Sequence, residues 1–261
     1  MLRSEPPLSL RPAGEEVYLV GSAAGPLGGD RLRLTIDVGD GASLTLRSIA
    51  ASVALPGPDA EPSRLDVHAR VGKGATLRYR PEPLIAAAAC RHRTTARLEL
   101  ALDASVEWRE ELVAGRHGES PGSCWTRLVA DIDGRPLLRH ELRMGPDAPA
   151  WDGPAGLAGA RAVGMLLRTN RLVGAGTPLL DAPLDALLRA SVFPLEDSHG
   201  RRAELLTACA LDVPALRSFL VPADPFPADP FPADPFPADP FPADRVPADR
   251  VPADRVPRSS Q

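Results

Sequence analysis

Apolar and polar residues alternate along most of the first 145 residues of the chain. In the clearest stretch, residues 31–38, every second position is Leu, Ile or Val, and a Gly-Asp-Gly turn signal follows at 39–41. Alternation with a period of two predicts strands that bury one face, and the glycines allow the positive φ that a tight turn requires. Residues 31–46 are therefore predicted to form two strands joined by a turn.

The same strand–turn–strand unit recurs about every 30 residues. The recurring segments are VGDGASLTL, VGKGATLRY and LALDASVEW, and a fourth turn is predicted at Asp133-Gly134. A unit that repeats at a fixed period cannot bury its apolar face alone, so neighbouring units are expected to stack. The predicted fold class is mainly β, with stacked antiparallel hairpins and sheets in a partly solenoid-like arrangement.

The region 155–220 predicts a few C-terminal helices that pack on the sheets. Four stretches have helical composition: 157–169, 184–191, 203–209 and 214–220. The last one begins with proline, which is favoured at the first position of a helix. An earlier apolar run, from Leu84 to Cys90, is compatible with either a buried strand or a short helix.

The chain is predicted to form a single β-rich domain over residues 1–221, followed by a disordered proline-rich tail over 222–261. In this tail PADPF occurs four times and PADRV three times. Proline at every second or third position is incompatible with helices and sheet interiors, and it favours an extended polyproline II conformation. Perfect pentapeptide repeats also arise by slippage of a short DNA repeat, so the tail is not expected to carry a specific function.

Charge and composition exclude several classes of protein. The net charge is −4, unlike that of a basic nucleic-acid-binding protein. No run of about 18 apolar residues predicts a membrane span, and the N-terminal segment lacks the apolar centre of a signal peptide. The three cysteines are far apart and odd in number, which fits a reducing compartment. A cytoplasmic protein without nucleic-acid or membrane partners is expected.

The chemistry-bearing residues are scattered along the chain. There is no G-x-x-x-x-G-K-[ST] and no H-E-x-x-H, the motifs that mark common phosphate and zinc sites. The prediction is therefore that the protein is not an enzyme and holds no tightly bound cofactor.

The most distinctive carboxylate is Glu110. On a strand it shares a face with Trp108, and burying a charge beside an inward-facing tryptophan is costly unless the charge has a partner. Two interpretations remain open: a salt bridge to one of the many arginines, or a polar interior path for a borderline cation. His140 and Glu141 form a similar but weaker case.

Four segments follow one another in an order that is typical of a known family. They are GPLGGDRLRLTIDVGDGASLTLRSIAAS at 25–52, VGKGATLRYRPEPLI at 71–85, VEWREELVAGRHGE with SCWTRLVADIDGRPLLRHELRM at 106–144, and GRRAELLTACALDVPALRSFL at 200–220. By their order and spacing they resemble the urease accessory protein UreD, also called UreH. The resemblance covers roughly residues 15–220.

The resemblance implies a non-catalytic scaffold or chaperone that aids nickel insertion into apo-urease. The implied partners are UreF, UreG bound through UreF, and the structural subunits of urease. Any Ni²⁺ would be bound transiently, and the candidate residues for its path are Glu110, Glu141 and His140.

An alternative function is a β-sheet binding module whose tail is the functional element. The tail would then present P-x-x-P segments to an SH3-like or WW-like partner. Deletion of residues 222–261 distinguishes the two functions, because only the binding module depends on the tail.

Overall fold

Fifteen β-strands and one α-helix lie in the part of the chain that the computed structural model describes, residues 2–59, 61–170, 173, 188–196 and 202–221. In chain order they are β1 (Leu8–Ala13), β2 (Glu16–Gly21), β3 (Arg31–Val38), β4 (Ser43–Ser48), β5 (Ser52–Ala54), β6 (Ser63–Val71), β7 (Thr76–Arg80), β8 (Leu84–Ala86), β9 (Arg91–Leu100), β10 (Ser105–Ala114), β11 (Ser123–Ile132), β12 (Arg135–Met144), β13 (Ala162–Thr169), β14 (Arg189–Glu196), β15 (Arg202–Ala210) and α1 (Val213–Leu220).

The strands form two sheets. The larger sheet has the order β1-β2-β4-β7-β10-β13-β15-β14, with β8 also paired to β10 and β5 to β8. The smaller sheet has the order β12-β11-β9-β6-β3. Strands β2, β4, β7 and β10 run parallel in the larger sheet, as do β3, β6, β9 and β11 in the smaller one. The mainly β, solenoid-like fold is therefore confirmed, because the chain passes between the sheets in successive coils.

The recurring turns differ from the expected hairpins, because they are corners between the two sheets. Strand β3 pairs with β6 in the smaller sheet, whereas β4, just after the turn, pairs with β2 and β7 in the larger sheet. The turns from β6 to β7 and from β9 to β10 also change sheet. Both strands of such a unit turn their apolar face to the space between the sheets, so alternation alone does not separate a corner from a hairpin. The fourth unit, β11 with β12, is an antiparallel hairpin.

Successive corners stack on one another. The Gly41 amide donates to the Lys73 carbonyl at 2.7 Å, and the Lys73 amide donates to Oδ1 of Asp40 at 2.8 Å. A Cβ atom on Gly72 would lie 2.4 Å from Oδ1 of Asp40, which is far inside van der Waals contact. The glycine at position 72 therefore permits the close approach of one coil to the next.

The main core lies between the two sheets. Large side chains from both sheets are fully buried there, among them Leu77 and Trp108 of the larger sheet and Leu98 and Leu128 of the smaller one. Burying an aliphatic side chain of this size stabilises the fold by roughly 1.5–3 kcal/mol. This core, rather than intrinsic strand propensity, holds the sheets face to face.

Two of the stretches expected to be helical are strands, so those helix predictions were wrong. Residues 157–169 contain β13 and residues 203–209 lie in β15. Strand β13 is paired on both edges, to β10 and β15, and its successive residues Met165, Leu166 and Leu167 are all buried. A strand buried on both faces has a continuous apolar run, which periodicity does not distinguish from a buried helix.

Two other stretches that were predicted or allowed to be helical also contain strands. Residues 189–191 of the stretch 184–191 belong to strand β14, and residues 184–187 lie outside the described part of the chain. The ambiguous run after Pro83 is a short strand, β8, followed by a turn.

The helix predicted at 214–220 is confirmed as α1. The Asp212 side chain accepts a hydrogen bond from the Ala215 amide at 2.9 Å and so caps the first turn, an interaction typically worth about 1 kcal/mol. Leu216, Phe219 and Leu220 are buried against β13 and β15. Among the described residues α1 is the one α-helix, where a few were expected.

The predicted tail, residues 222–261, lies outside the described residues. The described residues belong to one compact unit, Met1–Ala223. No described helix combines the length and apolar character needed to cross a bilayer.

Candidate functional site: a buried carboxylate between the sheets

Strand β10 carries the carboxylate that the sequence singles out. Trp108 and Glu110 lie on the face that looks toward the smaller sheet, as strand geometry predicts. The indole Nε1 of Trp108 donates to Oε1 of Glu110 at 2.8 Å. The Trp108 ring also stacks on Tyr79, with 4.0 Å between ring centroids and 18° between planes. Stacking on Tyr79 holds the indole in place, and the hydrogen bond from the indole holds the Glu110 carboxylate.

The second oxygen of Glu110 is unpaired within the described part of the chain. Although the residue as a whole is half-buried, its Oε2 atom has no exposed surface and no hydrogen bond within the described part of the chain. Burial raises the pKa of the Glu110 carboxyl, and the hydrogen bond from Trp108 opposes that rise only in part. Of the two interpretations left open by the sequence, the salt bridge to an arginine is not formed by any described residue.

The arginines pair instead with carboxylates on the opposite face of β10. Glu107 contacts Arg80 and Arg168, and Glu111 accepts from Arg217 of α1 at 2.6 Å. All of these residues except Arg217 are buried. Strand geometry places Glu107 and Glu111 on the face opposite Glu110, but the sequence did not show that arginines from β7, β13 and α1 converge there.

Sulfur-containing side chains lie near the interior carboxylate. Cys124 and Cys90 are buried in one cluster with Met144. Burial raises the pKa of the Cys90 thiol to about 11, and it raises the pKa of Cys124 further, with smaller contributions from Cys90 and Glu110. Both thiols are therefore protonated at neutral pH, and a metal ion would have to displace a proton to bind either of them.

A buried histidine completes the polar groups of this region. His92 is paired in register with Cys124, and its ring nitrogens lie 2.8 Å from Oγ of Ser63 and 3.0 Å from Oγ1 of Thr94. Burial lowers the pKa of His92 to about 4, so the imidazole is neutral. Its two hydrogen bonds make it a satisfied core residue. No group of three or more described His, Cys, Asp or Glu residues is arranged to hold a metal ion.

The structure does not join His140 and Glu141 to Glu110. They are adjacent residues on β12, the edge strand of the smaller sheet, so their side chains point to opposite faces. Glu141 is exposed and pairs with Arg143 at 2.8 Å. His140 is half-buried, and burial lowers the pKa of its imidazole. Within the described residues, no hydrogen bond or ion pair links either side chain to Glu110.

The fold and this interior define a class of protein: a solenoid-like β scaffold that holds, between its two sheets, a carboxylate whose second oxygen has no partner among the described residues. Residues 2–220 match the family model described as UreD urease accessory protein. The chain belongs to this family.

Individual relatives agree with the family match. The chain is 45% identical over 229 residues to urease accessory protein UreD 3 of Streptomyces griseus, covering 84% of this chain and 86% of the relative. It is 41% identical to urease accessory protein UreD of Streptomyces coelicolor, again over 84% of this chain and 86% of the relative. A third relative, from Streptomyces avermitilis, is 41% identical over 84% of this chain and 87% of its own length.

Proposed function

We propose that the protein is a non-catalytic scaffold that aids the insertion of nickel into apo-urease. In this proposal it acts in the cytoplasm in a complex with UreF, with UreG bound through UreF, and with the structural subunits of urease. Membership of the urease accessory family supports the link to urease. The free thiols of Cys90, Cys124 and Cys209 fit a reducing compartment.

The observation that carries the nickel role is the enclosed Glu110 carboxylate. One of its oxygens is fixed by Trp108 and the other has no partner among the described residues. Carboxylate oxygen is an acceptable ligand for a borderline divalent ion, but a single carboxylate holds it weakly. Such a group suits an ion in transit, and the nickel ion is cargo rather than a resident cofactor.

The two residues on β12 have different parts in the proposal. His140, half-buried and neutral, keeps an imidazole nitrogen that is able to bind Ni²⁺. Glu141 is held by Arg143 on the outer face, so a metal ion would have to compete with that guanidinium. We therefore propose His140 as the stronger candidate of this pair.

The experiment is urease activation in a reconstituted system. Cells or purified components that supply apo-urease, UreF, UreG and Ni²⁺ are compared with and without this chain, and both urease activity and urease-bound nickel are measured. The chain should raise both quantities together. Equal nickel content with and without the chain would contradict the proposal.

A Glu110→Gln variant tests the interior carboxylate separately. Its amide oxygen still accepts from Trp108, while the negative charge is lost, so the variant should bind its partners normally and deliver less nickel. Asp66→Asn, which removes an exposed carboxylate from the outer face of the smaller sheet, is the matched control and should deliver nickel as the wild type does.

A further inference from the structure

The parallel register of the smaller sheet brings distant arginines into one row. Arg31 of β3 is paired with Arg64 of β6, and Arg64 with Arg93 of β9. Arg93 is paired in turn with Trp125 of β11, and Trp125 with Arg143 of β12. Successive strands are about 4.8 Å apart, so three adjacent arginines lie within roughly 10 Å. We call these five residues the arginine row.

Three adjacent positive charges do not stabilise the free protein. Like charges opposite one another on neighbouring strands destabilise a sheet. Arg143 is paired with Glu141, but Arg31, Arg64 and Arg93 form no ion pair with any described residue. The fold therefore tolerates a repulsion that a bound anion would relieve.

Trp125 gives the row a fixed geometry. The guanidinium of Arg93 lies 3.5 Å from the centre of the Trp125 ring, and that of Arg143 lies 5.0 Å from it. A cleft of about 300 Å³ opens at this point and is lined in part by Arg64, Arg93, Trp125 and Arg143. Its carboxylate, Asp147, is paired with Arg91 at 2.9 Å. A guanidinium stacked on an aromatic ring is held with its N–H groups directed outward, the arrangement that binds a carboxylate through two hydrogen bonds.

Acidic residues offset the arginines elsewhere on this face. The next row contains Asp66 and Glu141 together with Arg33 and Arg127, so its charges balance. Beyond it, Arg97 pairs with Glu99 and Arg139 with Asp131. A nucleic-acid backbone needs a longer positive track. A short acidic segment that crosses the strands fits the dimensions of the row.

We propose that the arginine row docks an acidic segment of a protein partner, and that this partner is a member of the urease assembly. The identity of the partner rests on the proposed function, whereas the chemistry of the surface rests on the row itself. Carboxylate side chains of the partner pair with Arg64 and Arg93, and Trp125 holds the second of these in place.

The test uses the full chain and two pairs of substitutions that each remove two positive charges. Arg64→Ser with Arg93→Ser disrupts the row. Arg33→Ser with Arg127→Ser, in the next row on the same face, is the matched control. Binding to purified apo-urease and to UreF of the same organism is measured by biolayer interferometry at low and at physiological salt.

The row variant should weaken binding to one of these partners at least tenfold, and the control should stay within twofold of the wild type. Equal weakening by both pairs would show that only net charge matters and would overturn the proposal. Wild-type binding that neither pair weakens would overturn it too, while leaving the proposed function intact. A wild type that binds neither partner would count against the proposed function itself.

Two further measurements separate a loss of the docking surface from misfolding and from nucleic-acid binding. Arg31→Ser with Arg64→Ser leaves the Arg93–Trp125 contact in place, so it should fold normally and still lose at least fivefold in affinity. Binding of a 20-base-pair DNA duplex is measured in parallel. Duplex binding tighter than partner binding, and abolished in the row variant, would overturn the protein-partner proposal in favour of nucleic acid.

Discussion

The indole Nε1 of Trp108 donates a 2.8 Å hydrogen bond to Oε1 of Glu110 in the space between the two sheets. The donor belongs to the main core, where Trp108 is fully buried, and the acceptor keeps one oxygen without a described partner. A neutral donor stabilises the charged carboxylate less than an arginine would. The pair therefore holds the carboxyl group in position while leaving its second oxygen without a partner among the described residues.

The stability of the protein should depend on pH through Glu110. The pKa of its carboxyl is raised in the folded state above its ordinary value of 4.5, so its stabilising contribution is fully present below that value. It is lost as pH rises through the folded pKa. Glutamine at position 110 does not titrate. The free energy of unfolding of Glu110→Gln, relative to that of the wild type, should therefore be higher at pH 8 than at pH 5. Urea unfolding at both pH values measures this, and a difference independent of pH would show that the pKa of Glu110 is not raised.

Removal of the indole donor should destabilise the fold. Trp108→Phe keeps an aromatic ring against Tyr79 but leaves both oxygens of Glu110 without a described donor, at a cost of about 1–3 kcal/mol in the free energy of unfolding. Trp125→Phe is the control, because Nε1 of Trp125 has no described hydrogen-bond partner. It should cost less than about 1 kcal/mol. Chemical denaturation measures both variants, and equal costs would mean that the Trp108–Glu110 bond contributes nothing specific.

The strands could be predicted from sequence, but their partners could not. Alternation at residues 31–38 identifies β3, and the glycine turn identifies its end. The same signals suit a hairpin and a corner between sheets, and only long-range pairing separates them. The arginine row was missed for this reason: Arg31, Arg64 and Arg93 are about 30 residues apart and become neighbours only through parallel register.

The candidate site, like the fold, could be predicted from the sequence only in part. The shared face of Trp108 and Glu110 follows from strand periodicity alone, and the structure places them as predicted. Which partner satisfies the carboxylate depends on side chains from other strands, so both interpretations had to remain open. The apolar run 162–169 resembles a helix in sequence because it is buried on both faces, which removes the alternation that marks a strand.

The stacked corners should be sensitive to a single methyl group. In Gly72→Ala the new Cβ would lie 2.4 Å from Oδ1 and 2.8 Å from the backbone nitrogen of Asp40, so adjacent coils must separate. The expected loss is about 1–3 kcal/mol in the free energy of unfolding. Gly39→Ala is the control at the preceding corner, since its Cβ would meet no atom within 4 Å and should change stability by about 0.5 kcal/mol or less. A loss of similar size in both variants, measured by thermal and urea unfolding, would contradict the stacking argument.

The contact between α1 and β10 should depend on one ion pair. Arg217 donates to both oxygens of Glu111 and also to Glu82. Arg217→Ala leaves the buried Glu111 carboxylate with Arg109, at 3.5 Å, as its remaining partner among the described residues, and should destabilise the fold by about 3 kcal/mol. The control Arg217→Lys keeps a positive charge beside Glu111 and should be less destabilised than Arg217→Ala. Urea unfolding measures both variants, and an equal loss in both would contradict the role of the buried charge.

Removal of the tail separates the scaffold function from the alternative in which the tail recruits a partner. A chain ending at Val221 keeps α1, whose residues Leu216, Phe219 and Leu220 are buried, so the free energy of unfolding should not change. Urease activation in the reconstituted system should persist at the level of the full chain. A chain ending at Asp212 is the contrasting control, because loss of α1 uncovers β13 and β15 and removes Arg217 from Glu111. It should lose both stability and activation. Loss of activation on removal of residues 222–261 alone, with unfolding unchanged, would instead favour the tail as the functional element.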